Sequence, residues 1–106
     1  MSNMQKIQSA FVVAHTHWDR EWYVSFQAFR IRLVDMMDSL LEILQIDPDS
    51  RFTLDGQTIL LEDYLEIRPE RRKELKHYIR AKKLYAGPWY TQCDTRLIHG
   101  ESIIRN

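Results

Sequence analysis

In the stretch AHTHWDREWY (Ala14–Tyr23), His15, His17 and Asp19 occupy alternate positions directly after the apolar run AFVVA. Alternate residues of an extended chain project to one side. Neighbours in such a set have Cα atoms about 6–7 Å apart, at a rise of about 3.3 Å per residue. Imidazole nitrogens and carboxylate oxygens can converge on one ion across that gap, at about 2.0–2.2 Å each. The outer pair, His15 and Asp19, lies about 13 Å apart by the same rise. One ion is therefore more easily held by two adjacent members, while the third orients its neighbours. Mixed nitrogen and oxygen donors suit zinc or a similar divalent ion. Two ligands do not complete a site, so further donors must come from elsewhere. The competing reading has the histidines bonded to backbone and Asp19 capping the next turn.

The elements that would position these residues follow from pattern. Gln5 to Ala14 reads as a first strand, continuously apolar from Ala10, as a strand covered on both faces should be. Phe29, Leu33, Met36, Met37, Leu40, Leu41 and Leu44 recur at steps of three and four and predict a helix, with Ser25 as its N-cap. Asp47-Pro48 ends it, because the residue before proline is pushed out of the α region. Arg51–Leu54 reads as a second strand, Ile59–Ile67 as a short helix, and Pro69 to about Lys83 as another with Leu75 and Ile79 inward. Leu84–Ala86 reads as a third strand, ended by Gly87-Pro88. Gly100 onward opens a helix whose apolar face has hardly begun, which suggests the front of something longer. The order predicts an α/β fold, a parallel β-sheet flanked by helices. In such sheets sites lie beyond the carboxyl ends of strands, where the histidine motif falls.

Composition narrows the function. The 106 residues are 44% apolar, enough for one packed domain rather than a disordered chain. Fifteen basic residues balance fifteen acidic ones, which argues against general affinity for nucleic acid or an anionic membrane. The stretch RPERRKELKHYIRAKK interleaves Glu70 and Glu74 with its basic residues and reads as a solvated helix face. Cys93 is the sole cysteine, which fits a reducing compartment. No run is long enough for a signal peptide or a bilayer span, so a cytoplasmic protein is expected. As a nucleophile Cys93 lacks a base at fixed geometry.

The segments HTHWDREWY, FQAFRIRLVD, FTLDGQT, LEDYLEIRPE, GPWYTQCDT and GESIIRN, in this order, resemble the N-terminal part of the catalytic domain of glycoside hydrolase family 38. These are the retaining α-mannosidases, and the likeness is greatest to bacterial members, including those acting on mannosylglycerate. The resemblance implies a zinc ion bound by His17 and Asp19, with His15 as the supporting group. It implies that Trp22 forms an aromatic wall against the sugar. In the family zinc binds hydroxyls of the mannose ring, while one carboxylate attacks the anomeric carbon and another serves as acid and then base. The nucleophilic aspartate, the general acid and a further zinc histidine are expected beyond Asn106. Residues 1–106 would then be the N-terminal portion, without internal boundary, of a seven-stranded α/β fold of the glycoside hydrolase and deacetylase type. The isolated segment should be inactive. The implied partner is a mannose-containing small molecule or oligosaccharide, and the uncovered sheet implies self-association.

One departure stands out. The family often reads Pro-Asp-Glu where this chain has Cys93-Asp94-Thr95, so no role carries over to Thr95. Asp94, Asp55 and Gln57 are candidates for contact with substrate, although Asp before Gly often satisfies turn backbone. Amidohydrolase barrels also carry His-x-His on a first strand. A deacetylase or amidohydrolase, with zinc-activated water as nucleophile, is therefore one alternative. A non-catalytic sugar- or protein-binding module using Trp18, Trp22 and Trp89 is another.

Overall fold

A computed structural model describes residues 6–106. Helix α1 spans Phe26–Ile46. Ser25 caps it as expected, its hydroxyl accepting from the Ala28 N–H. The stripe faces inward: Phe29, Leu33, Met37, Leu40, Leu41 and Leu44 are buried, joined by Val34, while Met36 is only partly covered. Full burial of each such side chain contributes about 1.5–3 kcal/mol. The helix ends at Asp47, in extended conformation before Pro48. Its last carbonyls are not left orphaned, because Lys83 Nζ donates to Leu44 O at 2.7 Å and to Asp47 O at 3.1 Å. That contact ties the end of α1 to the start of the last strand.

Strands β1 (Phe52–Thr53) and β2 (Leu84–Tyr85) pair in parallel, Phe52 opposite Leu84 and Thr53 opposite Tyr85. Leu54 and Leu84 seal the sheet against the core. On the other edge of β1, the chain at Ala14–Thr16 pairs in parallel through the bridge His15–Thr53, with the Thr53 N–H donating to Ala14 O at 2.8 Å. The spatial order is thus residues 14–16, β1, β2. The parallel α/β organisation holds, with two strands plus a bridge.

The first strand is shorter than its apolar run suggests. Gln5 lies outside the described residues, and residues 6–13 form no ladder. Phe11 and Val12 are 91% and 96% exposed. A parallel strand gains its hydrogen bonds from neighbours distant in sequence. Among the described residues only β1 offers one, and only at residues 14–16.

Helix α2 spans Ile59–Ile67, as expected, and packs against α1. Beyond it the chain departs from a single long helix. Pro69–Arg71 form a 3₁₀ turn, α3 runs Arg72–Arg80, and the chain then reverses at Lys82 with φ 56°. Lys82 N–H donates to Ile79 O and Lys83 N–H to Tyr78 O, a Schellman closure that turns the chain into β2. Leu75 points inward as expected, but Ile79 is 40% exposed and lines a groove between α2 and α3; Tyr78 is the buried partner instead. Helix α4 spans Gly100–Arg105 and buries no residue. Among the described residues no helix is long and apolar enough to cross a membrane.

Candidate functional site

Three chain segments leave the carboxyl edge of the sheet side by side: His17–Glu21 after the first bridge, Asp55–Gln57 after β1, and Thr91–Thr95 after β2. Backbone pairing continues past the strands and fixes their approach. Gln57 bridges Trp89 in parallel, and Trp89 N–H donates to Gly56 O at 3.0 Å. Gly56 sits close to Gln92 and Trp89, near enough for a Cβ there to make ordinary van der Waals contact with both. Between the segments lies a half-open hollow of about 860 Å³, lined among others by His17, Asp19, Gln57, Gln92 and Asp94.

The hollow is organised from behind by Asp55. Its side chain is 8% exposed, and only donors surround it. Oδ2 accepts the Trp18 N–H at 2.9 Å and Gln57 Nε2 at 3.1 Å, and Oδ1 accepts the Gly56 N–H at 2.8 Å. In the orientation its neighbours require, the Gln92 amide donates to the same carboxylate. Gln57 completes the clamp: Nε2 donates to Trp18 O at 2.7 Å, and Oε1 accepts the Gln92 N–H at 3.2 Å. Both backbone polar groups of Trp18 are thereby fixed. The Trp18 ring anchors the same residue on the core, edge-on to Phe29 at 6.4 Å. Residues 17 and 19, on either side, inherit that rigidity.

His17 stands between two carboxylates. Its Nδ1 lies 3.1 Å from Asp55 Oδ2, and its Nε2 faces Asp19 Oδ1 at 3.5 Å. The first is a close polar contact between imidazole nitrogen and carboxylate oxygen; the second is too long for a good hydrogen bond. It does match two ligands of one ion: bonds of about 2.0–2.2 Å at the tetrahedral angle set donor atoms about 3.3–3.6 Å apart. His17 is 64% exposed and Asp19 42%, so both reach solvent from a fixed base. Among the described residues no three His, Cys, Asp or Glu side chains are grouped to hold an ion. The pair fits a divalent cation in donor type and separation and requires further donors.

The other candidates distribute unevenly. His15 pairs with Thr53 at the strand edge but makes no side-chain hydrogen bond among the described residues, while the carboxylate beside His17 Nδ1 is that of Asp55. Trp22 is 75% exposed, packed edge-on to Tyr23 at 5.5 Å, and lies outside the lining of the hollow. Asp94 lines the hollow together with Asp19, while its Oδ1 accepts the Arg96 N–H at 3.1 Å within its own turn. Asp55 and Gln57 spend their polar atoms on protein partners. Cys93 is half-buried, its Sγ 3.5 Å from Asn106 Nδ2.

One pair went unnoticed in the sequence. Arg20 forks onto buried Asp63 at 2.7 and 2.9 Å and lies over the Phe26 ring at 5.0 Å. The hydrogen bond to Asp63 holds the Arg20 guanidinium above its ordinary range despite partial burial. This fork fastens the histidine segment to α2.

Strand ends that deliver an imidazole and carboxylates to an open hollow define an α/β domain whose ligand side is the carboxyl edge of its sheet. More particularly, the chain belongs to glycosyl hydrolase family 38: the family's N-terminal domain matches residues 8–106. It is 48% identical over 100 residues to a protein of Halalkalibacterium halodurans named, as a provisional assignment, mannosylglycerate hydrolase. That match covers 93% of this chain and 11% of the relative. The structure is similar to an α-mannosidase from Enterococcus faecalis V583, with TM-score 0.86 and 45% identity. It is also similar to a family 38 protein from Enterococcus faecalis, with TM-score 0.81 and 41% identity. Each structural match covers 89% of this chain and 11% of the other. The chain thus spans about a ninth of the length of these relatives.

Proposed function

We propose that this chain is the N-terminal part of the catalytic domain of a zinc-dependent retaining α-mannosidase acting on terminal α-mannosides, of glycoside or mannosylglycerate type. The observation that carries the reading is the His17 Nε2–Asp19 Oδ1 separation of 3.5 Å, a ligand-to-ligand spacing held rigid from behind. Family membership supports the substrate class. The parallel strands would be the first of a seven-stranded sheet.

In this reading His17 and Asp19 supply two of the ligands. Bound zinc would grip hydroxyls of the mannose ring and favour its distortion toward the transition state. The clamp on Trp18 keeps both donors from following the sugar as it moves, which is how binding geometry is turned into rate. Trp22 offers a flat apolar face for the C–H side of a pyranose, and Asp94 offers acceptors in the hollow for sugar hydroxyls. The carboxylates that attack the anomeric carbon and protonate the leaving group belong to the rest of the domain. The exposed Phe11 and Val12 would lie under that remainder, and without it would drive self-association. The lone cysteine suits residence in the cytoplasm.

The test is the stereochemistry of turnover. The whole polypeptide should release mannose first as the α-anomer by proton NMR, lose activity to a chelator and regain it with zinc. Release of the β-anomer, or turnover indifferent to chelation, would overturn the proposal. The 106 residues alone should not cleave an aryl α-mannoside.

A further inference from the structure

We infer that Asp55 is the positioning residue of the proposed cation site: it fixes the tautomer and ring orientation of His17, so that Nε2 presents its lone pair beside Asp19. The inference deepens the reading of His17 and Asp19 as metal ligands and rests on it. It also moves Asp55 from the sugar-facing wall to the support behind it.

The geometry leaves Asp55 little other use. It is buried, and its oxygens already accept the Trp18 and Gly56 N–H groups and the Gln57 amide. A carboxylate surrounded by donors acts as acceptor only, so the contact with His17 Nδ1 at 3.1 Å favours the proton on Nδ1, since the other tautomer would set a ring lone pair against the carboxylate. A neutral ring then carries its lone pair on Nε2, the atom that faces Asp19. Metal-ligating histidines usually donate their second ring N–H to a carboxylate or carbonyl in this way, which sets the tautomer and raises ligand basicity. The same Oδ2 also accepts the Trp18 N–H, so one atom sets both the imidazole and the backbone that carries Asp19. No bond is made or broken on Asp55; it acts through His17.

Long-range nitrogen–proton NMR of the metal-free chain, at a pH where His17 is neutral, reads the tautomer directly. The Nδ1–H form is expected in the wild type, and Asp55→Asn should shift the ring toward the Nε2–H form. Calorimetry with zinc or cobalt should show Asp55→Asn weakening binding by about 10–100-fold. Asparagine keeps the size but turns an NH2 group toward a backbone N–H that Asp55 had accepted, so circular dichroism must accompany the titration to verify the fold. His17→Ala and Asp19→Ala test the metal reading separately. If these abolish binding while Asp55→Asn changes neither tautomer nor affinity, the inference is overturned and the metal reading stands. If they leave binding untouched while the tautomer still follows Asp55, the metal reading fails and the orienting contact remains. Should Asp55→Asn not fold, the wild-type spectrum decides: Nδ1–H supports the inference and Nε2–H overturns it.

Discussion

Asp55 and His17 come from the ends of two neighbouring parallel strands and meet at 3.1 Å, the first buried and the second open to solvent. The pairing converts a flexible surface imidazole into a fixed one. It also explains why the histidine motif follows directly on the sheet: the backbone pairing at Ala14–Thr16 brings His17 level with the end of β1, where Asp55 waits. Much of the behaviour expected of this chain follows from how such end-of-strand residues are held.

The Arg20–Asp63 fork should matter for stability. Removing Arg20 strands a buried carboxylate with its hydrogen-bonding capacity unmet, a loss of about 1–3 kcal/mol. Urea titration of Arg20→Ala should show a lower midpoint with an unchanged slope. An unaltered midpoint would mean that solvent replaces the fork at no cost.

Lys82 is a place where stability can be gained. It adopts φ 56° at the C′ position of the closure after α3, where glycine is the usual occupant. A left-handed conformation costs a residue with a Cβ about 1–2 kcal/mol. Lys82→Gly relieves that cost but enlarges the entropy of the unfolded chain. The net gain should be about 0.5–1 kcal/mol, visible as a raised thermal midpoint. A fall in the midpoint would indicate that the lysine side chain holds the turn.

Alkali should destabilise the fold through its tyrosines. Burial, with the hydrogen bond to Asp38 second, pushes the Tyr64 phenol above its ordinary value. Burial does the same for Tyr78, and the hydrogen bond to Glu62 for Tyr90. In each case the fold favours the neutral phenol. The stabilisation is therefore complete below the unfolded value of about 10 and is lost as pH rises beyond it. Unfolding free energy measured from pH 8 upward should decline above about pH 10, less steeply in Tyr64→Phe. Identical slopes in both proteins would remove Tyr64 from the account.

Self-association tests the uncovered sheet. Phe11 and Val12 stand almost fully exposed beside an edge with few partners. Light scattering of the 106-residue chain should show mass rising with concentration, and Phe11→Ser with Val12→Thr should reduce it. A monomer at high concentration would contradict the expectation.

What the sequence displayed and what it hid divide along local and non-local lines. Helix α1 is legible because its apolar period, its Ser25 cap and its stop at Asp47-Pro48 are all written within one segment. Ile59–Ile67 is legible for the same reason. The apolar run predicts more strand than forms among residues 6–14, since such a run records readiness to pair but not the partner that must supply the bonds. The helix from Pro69 to Lys83 was over-extended because β2 must begin at Leu84, so the chain turns at Lys82 despite the lack of a glycine. Ile79 sits on the helical period but opens onto the groove between α2 and α3 and stays partly exposed. For Asp55, Asp-Gly reads as turn chemistry, which its bond from the Gly56 N–H matches, but nothing local says that the carboxylate also lies beside a residue from another strand end. The available signal was topological. Adjacent parallel strands deliver their C-terminal residues to one edge, so an acid after β1 belongs beside a histidine after the strand before it. The Arg20–Asp63 fork had no comparable signal, as each partner is an ordinary charge on an amphipathic segment.

The central claim is that His17 and Asp19 share a divalent cation, and anomalous diffraction at the zinc edge from a zinc-loaded crystal tests it most directly. A single peak about 2.0–2.2 Å from both His17 Nε2 and Asp19 Oδ1, absent in His17→Ala, is the expected result. A peak bound elsewhere on the chain, or none between these two side chains at saturating zinc, would contradict it.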